Sequence, residues 1–316
     1  GDVLTPRGSL KLQPFPASAA GPDLRQLLLG SEGRMGVLTN VVVKVAELPE
    51  KDDVYGVFFP SWERAVHALQ TIAGTDISFS MMRLSNPAET MTNLALAGNE
   101  RQIALLSRYL RWRGMSEKNA CMCLVGFTGS HRLTAAARRA AFSIIRRFKG
   151  ICVGKPMGNA WKKNRFQSAY LRNTLWDLGY AVDTLETALS WDKVSPAVEA
   201  IEQSLRAAIK PDNQRVHVFS HLSHVYPSGS SIYTTFLFRL SETPAKTLEV
   251  WQRLKQAASQ TIAAAGGTIS HQHGVGTDHK KYMPAEKGTI GIETLEKMFN
   301  HLDPGHLMNP GKLLPD

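Results

Sequence analysis

The chain has 316 residues, of which 43% are hydrophobic and 20% are charged, and its formal net charge is +10. This size and composition are typical of a globular protein with a large core, and the sequence has no apolar run of membrane-span length. Its three cysteines, Cys121, Cys123 and Cys152, are too few for a disulfide framework, which favours a reducing, cytoplasmic location.

The positive charge is most concentrated in residues 132–149, which include Arg138, Arg139, Arg146 and Arg147. Such an excess suits a nucleic acid, an anionic membrane surface or an anionic substrate. We expect no nucleic-acid partner, because the sequence shows no nucleic-acid-binding motif and no platform of stacking aromatic side chains. The favoured interpretation of this segment is a solvated helix face, and the alternative is a peripheral membrane or partner contact.

Residues 28–45 combine a glycine-rich turn with a β-rich run, VLTNVVVKV. The run is typical of a strand that is covered on both faces. The turn holds Ser31 and Glu32 between Gly30 and Gly33. A turn of this kind brings backbone N–H groups close to a cofactor, and a purely structural tight turn is the alternative.

A change of pattern at Leu48-Pro49-Glu50 indicates a domain boundary. The residues beyond it predict two strand–helix–strand units, at 54–84 and 120–153, with helices between them. Two such units predict an α+β, ferredoxin-like domain with an antiparallel sheet and flanking helices. Cys121 and Cys123 share one face of a strand, which is typical of core packing.

Arg83 stands near the end of a predicted strand, directly before the turn signal Ser85-Asn86-Pro87. An arginine in this position is either a solvated charge or an anion clamp, because a guanidinium group binds carboxylate or phosphate with two parallel hydrogen bonds. The residues alone leave both interpretations open.

Residues 216–240 predict a β-hairpin with a turn at 227–230. His221, His224, Tyr226 and Tyr233 lie on or beside it. A tyrosine on a strand usually packs, but its phenol serves as an acid or base where neighbouring positive charge lowers its pKa.

The stretch TISHQHGVGTDHKK, residues 268–281, places His271, Gln272 and His273 directly before the glycines of a Gly-x-Gly turn. Imidazole is the side chain that titrates near neutral pH, and glycine permits close backbone approach to a bound group. The pattern indicates an acid–base site, and a polar surface loop is the alternative. Helices are predicted at 194–208, 243–265 and 288–299.

Three of these stretches together resemble the FAD-linked oxidases of the vanillyl-alcohol-oxidase class. They are GSEGRMGVLTNVVVK at 30–44, HGVG at 273–276 and LDPGHLMNPGKLL at 302–314. In that class they close the FAD domain, line the flavin and end the chain. Two more, SHVYPSGSSIYTTF at 223–236 and DTLETALSWD at 183–192, are most similar to alkyldihydroxyacetonephosphate synthase-like bacterial flavoproteins.

The resemblance implies three segments: residues 1–48 as the C-terminal remnant of the FAD-binding domain, 49–265 as a substrate-binding cap, and 266–316 as a segment that returns to the flavin site. It implies FAD in the complete protein. We expect little or none in this chain alone, because the class grips the pyrophosphate with a glycine-rich loop that precedes these segments. The residues implied to contact the cofactor are Gly30, Ser31, Glu32, Gly33, Gly36, Val37, Gln272, Gly274 and Asn309.

The implied reaction is an exchange in which a fatty alcohol replaces the ester-linked fatty acid of acyl-dihydroxyacetone phosphate. Tyr226 matches the catalytic tyrosine of the family, and Arg83 matches an arginine that faces the substrate. His271 and His273 take acid–base or orienting roles, while Gln272 replaces the middle histidine of the family's HHHGVG. We therefore expect an anionic small-molecule or lipid-like substrate, and a homodimer.

Two other functions remain as alternatives: an FAD-dependent dehydrogenase or oxidase of a 2-hydroxyacid or polyol phosphate, and a non-catalytic basic binding module that uses residues 132–149. Related 2-hydroxyacid dehydrogenases carry HxGDGNxH and GEHGVG, and some bind a divalent metal there. In this chain Gln272 stands where the glutamate would be. Because an amide is a poorer metal ligand than a carboxylate, we predict no metal site.

Overall fold

The computed structural model describes residues 1–97, 100–166 and 170–315. The chain divides into two compact units: Leu48–Gly267, and a second unit made of Gly1–Glu47 and Thr268–Asp316. The identification of segments 1–48, 49–265 and 266–316 as a cofactor-domain remnant, a cap and a returning segment stays a prediction. Within the described ranges, every helix is too short or too polar to cross a membrane.

Among the described residues, the unit formed by the two chain ends contains a small antiparallel sheet and two α-helices. Its elements are β1 Asp2–Thr5, β2 Gly8–Lys11, α1 Leu24–Leu28, β3 Val37–Asn40 and α10 Met283–Leu302. The strands lie in the order β2-β1-β3, and a core of Val3, Leu28, Met35, Phe299 and Leu313 joins the two chain ends. Helix α10 begins earlier than predicted and is interrupted at Gly288, where φ is 67°.

The β-rich run VLTNVVVKV departs from its prediction. Only its first residues form a strand, β3, and all four residues of that strand are exposed. The following Val41, Val42 and Val43 are 62–69% exposed. The expectation of a strand covered on both faces is therefore wrong in this structure. The branched apolar residues of this run have a high strand propensity, but propensity does not determine what covers a strand, and β3 lies at the edge of its sheet.

The unit Leu48–Gly267 is built on a seven-stranded sheet with antiparallel neighbours. Its strands are β4 Lys51–Phe59, β5 Met81–Ser85, β6 Cys121–Gly129, β7 Ile151–Gly154, β8 Tyr180–Ser190, β9 His217–Leu222 and β10 Gly229–Arg239. They lie in the order β7-β4-β6-β5-β9-β10-β8. The first four follow the ferredoxin-like order, which confirms the predicted α+β class with its antiparallel sheet.

Helices cover the two faces of this sheet. They are α2 Trp62–Ala73, α3 Pro87–Leu96, α4 Glu100–Trp112, α5 His131–Arg147, α6 Pro156–Asn164, α7 Leu171–Asp177, α8 Trp191–Ala208 and α9 Pro244–Ala264. The helices predicted at 194–208 and 243–265 match α8 and α9 to within a few residues. The basic residues of α5 are exposed, as expected for a solvated helix face.

Alternation along the strands separates two cores. On one face Tyr55, Val57 and Phe59 of β4 pack with apolar side chains of α2, α5 and α8. On the other face Phe58, Met122 and Ile151 pack with residues of α4. Cys121 and Cys123 are fully buried in the first core, which confirms their predicted packing role. Burial raises the pKa of the Cys121 thiol to about 12.

Candidate functional site

The glycine-rich turn after α1 is tied to the HGVG stretch by Glu32. The Glu32 carboxylate accepts hydrogen bonds from the backbone N–H of Val275 and, at 2.8 Å, from that of Gly276. The backbone carbonyl of Glu32 in turn accepts a 2.6 Å hydrogen bond from the side-chain amide of Asn309. Glu32 thus holds two other predicted segments in place, a role that the sequence did not indicate.

The Gly-x-Gly turn requires glycine for two reasons. Gly274 and Gly276 have φ angles of +75° and +54°, a region in which a side chain is strained. A Cβ atom on Gly274 would also lie 3.0 Å from the Glu32 Oε1 atom. The close approach of this turn to Glu32 therefore depends on the missing side chain.

A cavity of about 590 Å³ lies against these two turns. The predicted site residues that line it are Gly30, Ser31, Glu32, His271, Gln272 and Gly274. Ser270 also lines it, and its hydroxyl oxygen is buried with no partner among the described residues. A bound group with a hydrogen-bonding edge would satisfy that oxygen. The cavity therefore offers a hydrogen-bonding wall to part of a polar cofactor.

The other predicted residues of this unit lie outside the described lining of that cavity. Gly36 packs against β1, where an added Cβ would meet the Leu4 carbonyl oxygen at 2.6 Å. Val37 begins β3, Gly33 approaches the side chain of Asn309, and His273 is exposed. The structure thus brings six of the predicted site residues together around the cavity, and the other five lie elsewhere in the same unit.

Tyr226 lies in the loop between β9 and β10, which form the predicted hairpin. Its backbone N–H donates to the Gly229 carbonyl at 2.8 Å, and its own carbonyl accepts from the Trp191 indole at 3.1 Å. The loop therefore fixes the backbone, while the residue as a whole is 41% exposed. Beside it, the Nδ1 atom of His224 lies 3.4 Å from the buried carboxylate of Glu186.

Arg83 lies on β5 with its side chain held by a buried carboxylate. Its Nη2 atom is 2.7 Å from Glu89 Oε1, and the Nδ1 atom of His221 is 2.9 Å from the same oxygen. The side chain of Glu89 is 3% exposed, against 23% for Arg83. A guanidinium group only donates hydrogen bonds, so Glu89 is the shared acceptor of this cluster.

The electrostatics of this cluster follow from its burial. Burial alone would raise the pKa of Glu89, but the facing His221 and Arg83 lower it to about 2. Burial lowers the pKa of His221, although the Glu89 carboxylate acts in the opposite direction. His221 also stacks on Tyr233, with ring centroids 4.8 Å apart. At neutral pH the cluster therefore holds one cation, one anion and a neutral imidazole.

Arg83 borders a cavity of about 550 Å³ within the unit Leu48–Gly267. The walls are mainly apolar side chains from three helices and the sheet, among them Leu94, Ile103, Leu106, Met122, Leu124 and Met157. Arg83 is the one charged residue among the described residues that line it. The geometry suits a ligand with an apolar body and a polar end.

Glu89, His221, Glu186 and Asn93 were not predicted as site residues. Glu89 follows Asn86 by three positions at the start of α3, and its N–H donates to the Asn86 side chain at 2.9 Å. From sequence this pattern reads as a helix cap. Only the pairing of β5 with β9, which sets Ser85 opposite His221, brings Glu89 to His221. The local sequence carried no signal of this contact beyond that cap.

Comparison with known proteins places this chain in a family. The model of the family "FAD linked oxidases, C-terminal domain" matches residues 48–313. The alkyldihydroxyacetonephosphate synthase of Dictyostelium discoideum is 30% identical over 99% of this chain and 52% of its own length. That of Trypanosoma brucei brucei is 27% identical over the same shares.

A solved alkyldihydroxyacetonephosphate synthase structure has a similar fold, with a TM-score of 0.77 and 27% identity. The match covers 98% of this chain and 53% of that one, so the chain spans about half the length of the relatives it matches. Both the family model and the relatives agree with the resemblance noted in the motifs. The chain therefore belongs to the C-terminal domain family of the FAD-linked oxidases.

Proposed function

We propose that this chain is the C-terminal part of an FAD-dependent enzyme of the alkyldihydroxyacetonephosphate synthase-like group. The similarity to these synthases extends over 99% of the chain, and it is the observation that carries the proposal. The reaction is an exchange: the bond to an ester-linked fatty acid breaks, a fatty alcohol forms an ether bond, and the fatty acid leaves as a carboxylate. Electrons balance without an external oxidant or reductant.

FAD is the cofactor of this proposal. Ser31, Gln272 and Gly274, together with the buried hydroxyl of Ser270, are the residues that would hold part of it. When bound, FAD would supply the reactive ring chemistry that the exchange needs. Glu32 acts indirectly, because its carboxylate is occupied by the Val275 and Gly276 amides.

The proton steps are assigned to Tyr226, His271 and His273, as the motifs predict. Tyr226 accepts the proton of the incoming alcohol, and its fixed backbone limits the positions that its phenol reaches. Gln272 has no titratable proton at neutral pH, so the two histidines on either side of it carry the acid–base role. We also propose that no metal ion takes part in this reaction.

Arg83 is assigned to the polar end of the substrate. Its pairing with Glu89 refines the predicted anion clamp, because one guanidinium nitrogen is already engaged. The apolar cavity that it borders accommodates an alkyl chain, which favours a lipid-like substrate. The dehydrogenase alternative needs no such apolar volume for a small hydroxyacid, and a binding module needs no such ion pair.

A peripheral membrane contact is a further part of the proposal. Leu105, Tyr109 and Trp112 form an exposed stripe on α4 and are 67%, 37% and 78% exposed. Arg101, Arg108 and Arg111 flank it on the same helix. Aromatic side chains beside arginines suit an anionic bilayer surface, and Ile103 and Leu106 of the same helix line the apolar cavity. A homodimer remains a proposal as well.

Two variants test the residue roles in the complete, flavin-loaded protein that contains this chain, supplied with labelled fatty alcohol. Tyr226→Phe should lower the incorporation rate at least about a hundredfold, since the phenol carries the proton step. Arg83→Lys should lower it about tenfold or more at an unchanged melting temperature, because lysine keeps the charge but not the fork. Tyr170→Phe, at an exposed tyrosine, is the matched control. Unchanged rates in the first two variants would remove these assignments.

A further inference from the structure

We propose that Glu89 determines the head-group specificity of the apolar cavity: as the internal counter-ion of Arg83, it makes the cavity select an uncharged polar head over a carboxylate. The inference rests on the proposed function in one respect, namely that the cavity holds the alkyl chain of the substrate. Neither Glu89 nor a preference for an uncharged head was indicated by the sequence motifs. It would also explain how an alcohol enters at a site from which a carboxylate leaves.

The geometry places Glu89 behind the cavity rather than in its wall. Arg83 is among the lining residues, and Glu89 is outside that lining within the described part of the chain. The 2.7 Å contact between Glu89 Oε1 and Arg83 Nη2 fixes one side of the guanidinium. The Nδ1 atom of His221, on the neighbouring strand, lies 2.9 Å from the same carboxylate oxygen and 3.2 Å from the Arg83 Nη2 atom. Arg83 therefore presents its remaining N–H groups from a restrained position.

The charge balance decides which ligand this position favours. The Arg83 guanidinium and the Glu89 carboxylate carry opposite unit charges. His221 adds no third charge, because burial lowers its pKa and keeps the imidazole neutral. A carboxylate head brought to Arg83 would meet both a cation and an anion, so its attraction is largely cancelled while its desolvation cost remains. An alcohol or ester oxygen accepts an N–H hydrogen bond without that cost.

A second polar group in the cavity favours the same class of ligand. Asn93 lines the cavity, and its side-chain nitrogen is buried with no acceptor among the described residues. A buried N–H that lacks an acceptor costs free energy, which a ligand oxygen would recover. A neutral amide offers no charge to a carboxylate. Gln102 and Asn164 also line the cavity, so apart from the compensated Arg83 its polar lining residues carry neutral amides, which suit an uncharged head.

The test compares two ligands of equal chain length, decan-1-ol and decanoate. Each displaces a neutral fluorescent probe, Nile red, from the protein at about pH 8 and low ionic strength, where decanoate is fully charged. The wild-type protein should bind the alcohol at least about tenfold more tightly. Glu89→Gln should raise the affinity for decanoate at least about tenfold and change that for the alcohol less than about twofold, because Arg83 is then uncompensated.

Two further variants separate charge from folding. The double variant Arg83→Gln/Glu89→Gln is again neutral at this position and should restore the preference for the alcohol. Glu202→Gln removes another buried carboxylate, one that accepts hydrogen bonds from Asn86 and Ser220 and lies outside the described lining. It should leave the ratio of the two affinities unchanged. If Glu89→Gln does not fold, the wild-type ratio and the double variant decide.

A wild-type protein that binds decanoate as tightly as decan-1-ol would overturn the inference. So would an affinity ratio that Glu89→Gln leaves unchanged while the variant melts as a folded protein. The measurement needs neither flavin nor turnover. A failure to find exchange activity would therefore count against the proposed function and leave the binding preference standing.

Discussion

Two of the cavities of this protein, one in each compact unit, have walls of different kinds. The cavity in the unit of residues 1–47 and 268–316 has two glycine-rich turns in its wall, at Gly30 to Glu32 and at Gly274, together with side chains such as Met283 and Phe299. The cavity in residues 48–267 is shaped by side chains of three helices and the sheet, with Arg83 as its charged end. Glycine-rich turns are visible in a sequence, whereas a wall of apolar side chains is visible only after folding.

The side-chain cavity should be the more sensitive to loss of charge. Arg83→Met removes the partner of a buried carboxylate and should lower the free energy of unfolding by about 3–5 kcal/mol. Urea denaturation measures this. The matched control is Arg83→Met/Glu89→Gln, which removes both charges and should recover most of the loss. A loss below about 1 kcal/mol for the single variant would mean that Glu89 is solvated.

Acidification tests the same cluster without a mutation. Glu89 has a folded-state pKa of about 2, below its ordinary 4.5, so its contribution is present above pH 4.5 and is lost as pH falls toward 2. The shift corresponds to about 3 kcal/mol. His221 acts in the same direction: its pKa is lowered in the folded state, so the unfolded chain takes up the proton first below about pH 6.5.

Stability should therefore decrease on acidification, with a first loss below about pH 6.5 and a second below about pH 4.5. Glu89→Gln should flatten the second part of the curve, because the titrating carboxylate is gone. Urea denaturation at a series of pH values gives the comparison. An acid limb with the same slope in wild type and variant would contradict the buried ion pair.

The cavity with the two glycine-rich turns should respond to loss of the Glu32 carboxylate, which holds one turn against the other. Glu32→Ala leaves the N–H groups of Val275 and Gly276 without their carboxylate and should cost about 2 kcal/mol. Hydrogen exchange should accelerate at these two amides. Glu47→Ala, at an exposed glutamate of the same unit, should leave their exchange unchanged. Equal protection in Glu32→Ala would show that the turn holds itself.

The smallest expected effect concerns the contact between Gly274 and the Glu32 carboxylate. Gly274→Ala combines a positive φ with a Cβ atom 3.0 Å from the Glu32 carboxylate. Gly114→Ala has a similar φ of +78° and open space around the added atom. Both should lose about 1 kcal/mol through backbone strain, and Gly274→Ala about 1 kcal/mol more. Equal losses in thermal or urea denaturation would mean that Glu32 moves aside freely.

The sequence predicted what depends on local pattern. Alternating residues and their spacing indicated two strand–helix–strand units, and the strand order β7-β4-β6-β5 follows from them. The same reasoning put Cys121 and Cys123 on one buried face. The motifs also identified both glycine-rich turns of the other cavity, because a turn at positive φ favours glycine and the glycines are visible in the sequence.

What the sequence did not predict depends on tertiary pairing. Glu89 has a sufficient local explanation as part of a helix cap, and nothing near it in the chain indicates Arg83 as its partner. His221 reaches the cluster only through the register of β5 against β9. The run VLTNVVVKV shows the converse error, since β propensity gave no information about what covers the strand.

One measurement tests the proposed exchange reaction most directly. The complete, flavin-loaded protein that contains this chain is incubated with acyl-dihydroxyacetone phosphate and labelled fatty alcohol while the flavin spectrum is recorded. The account predicts that label enters the phosphate product in step with the release of fatty acid, and that the flavin ends in its starting oxidation state. Bleaching of the flavin by a 2-hydroxyacid, with no incorporation of label, would contradict it.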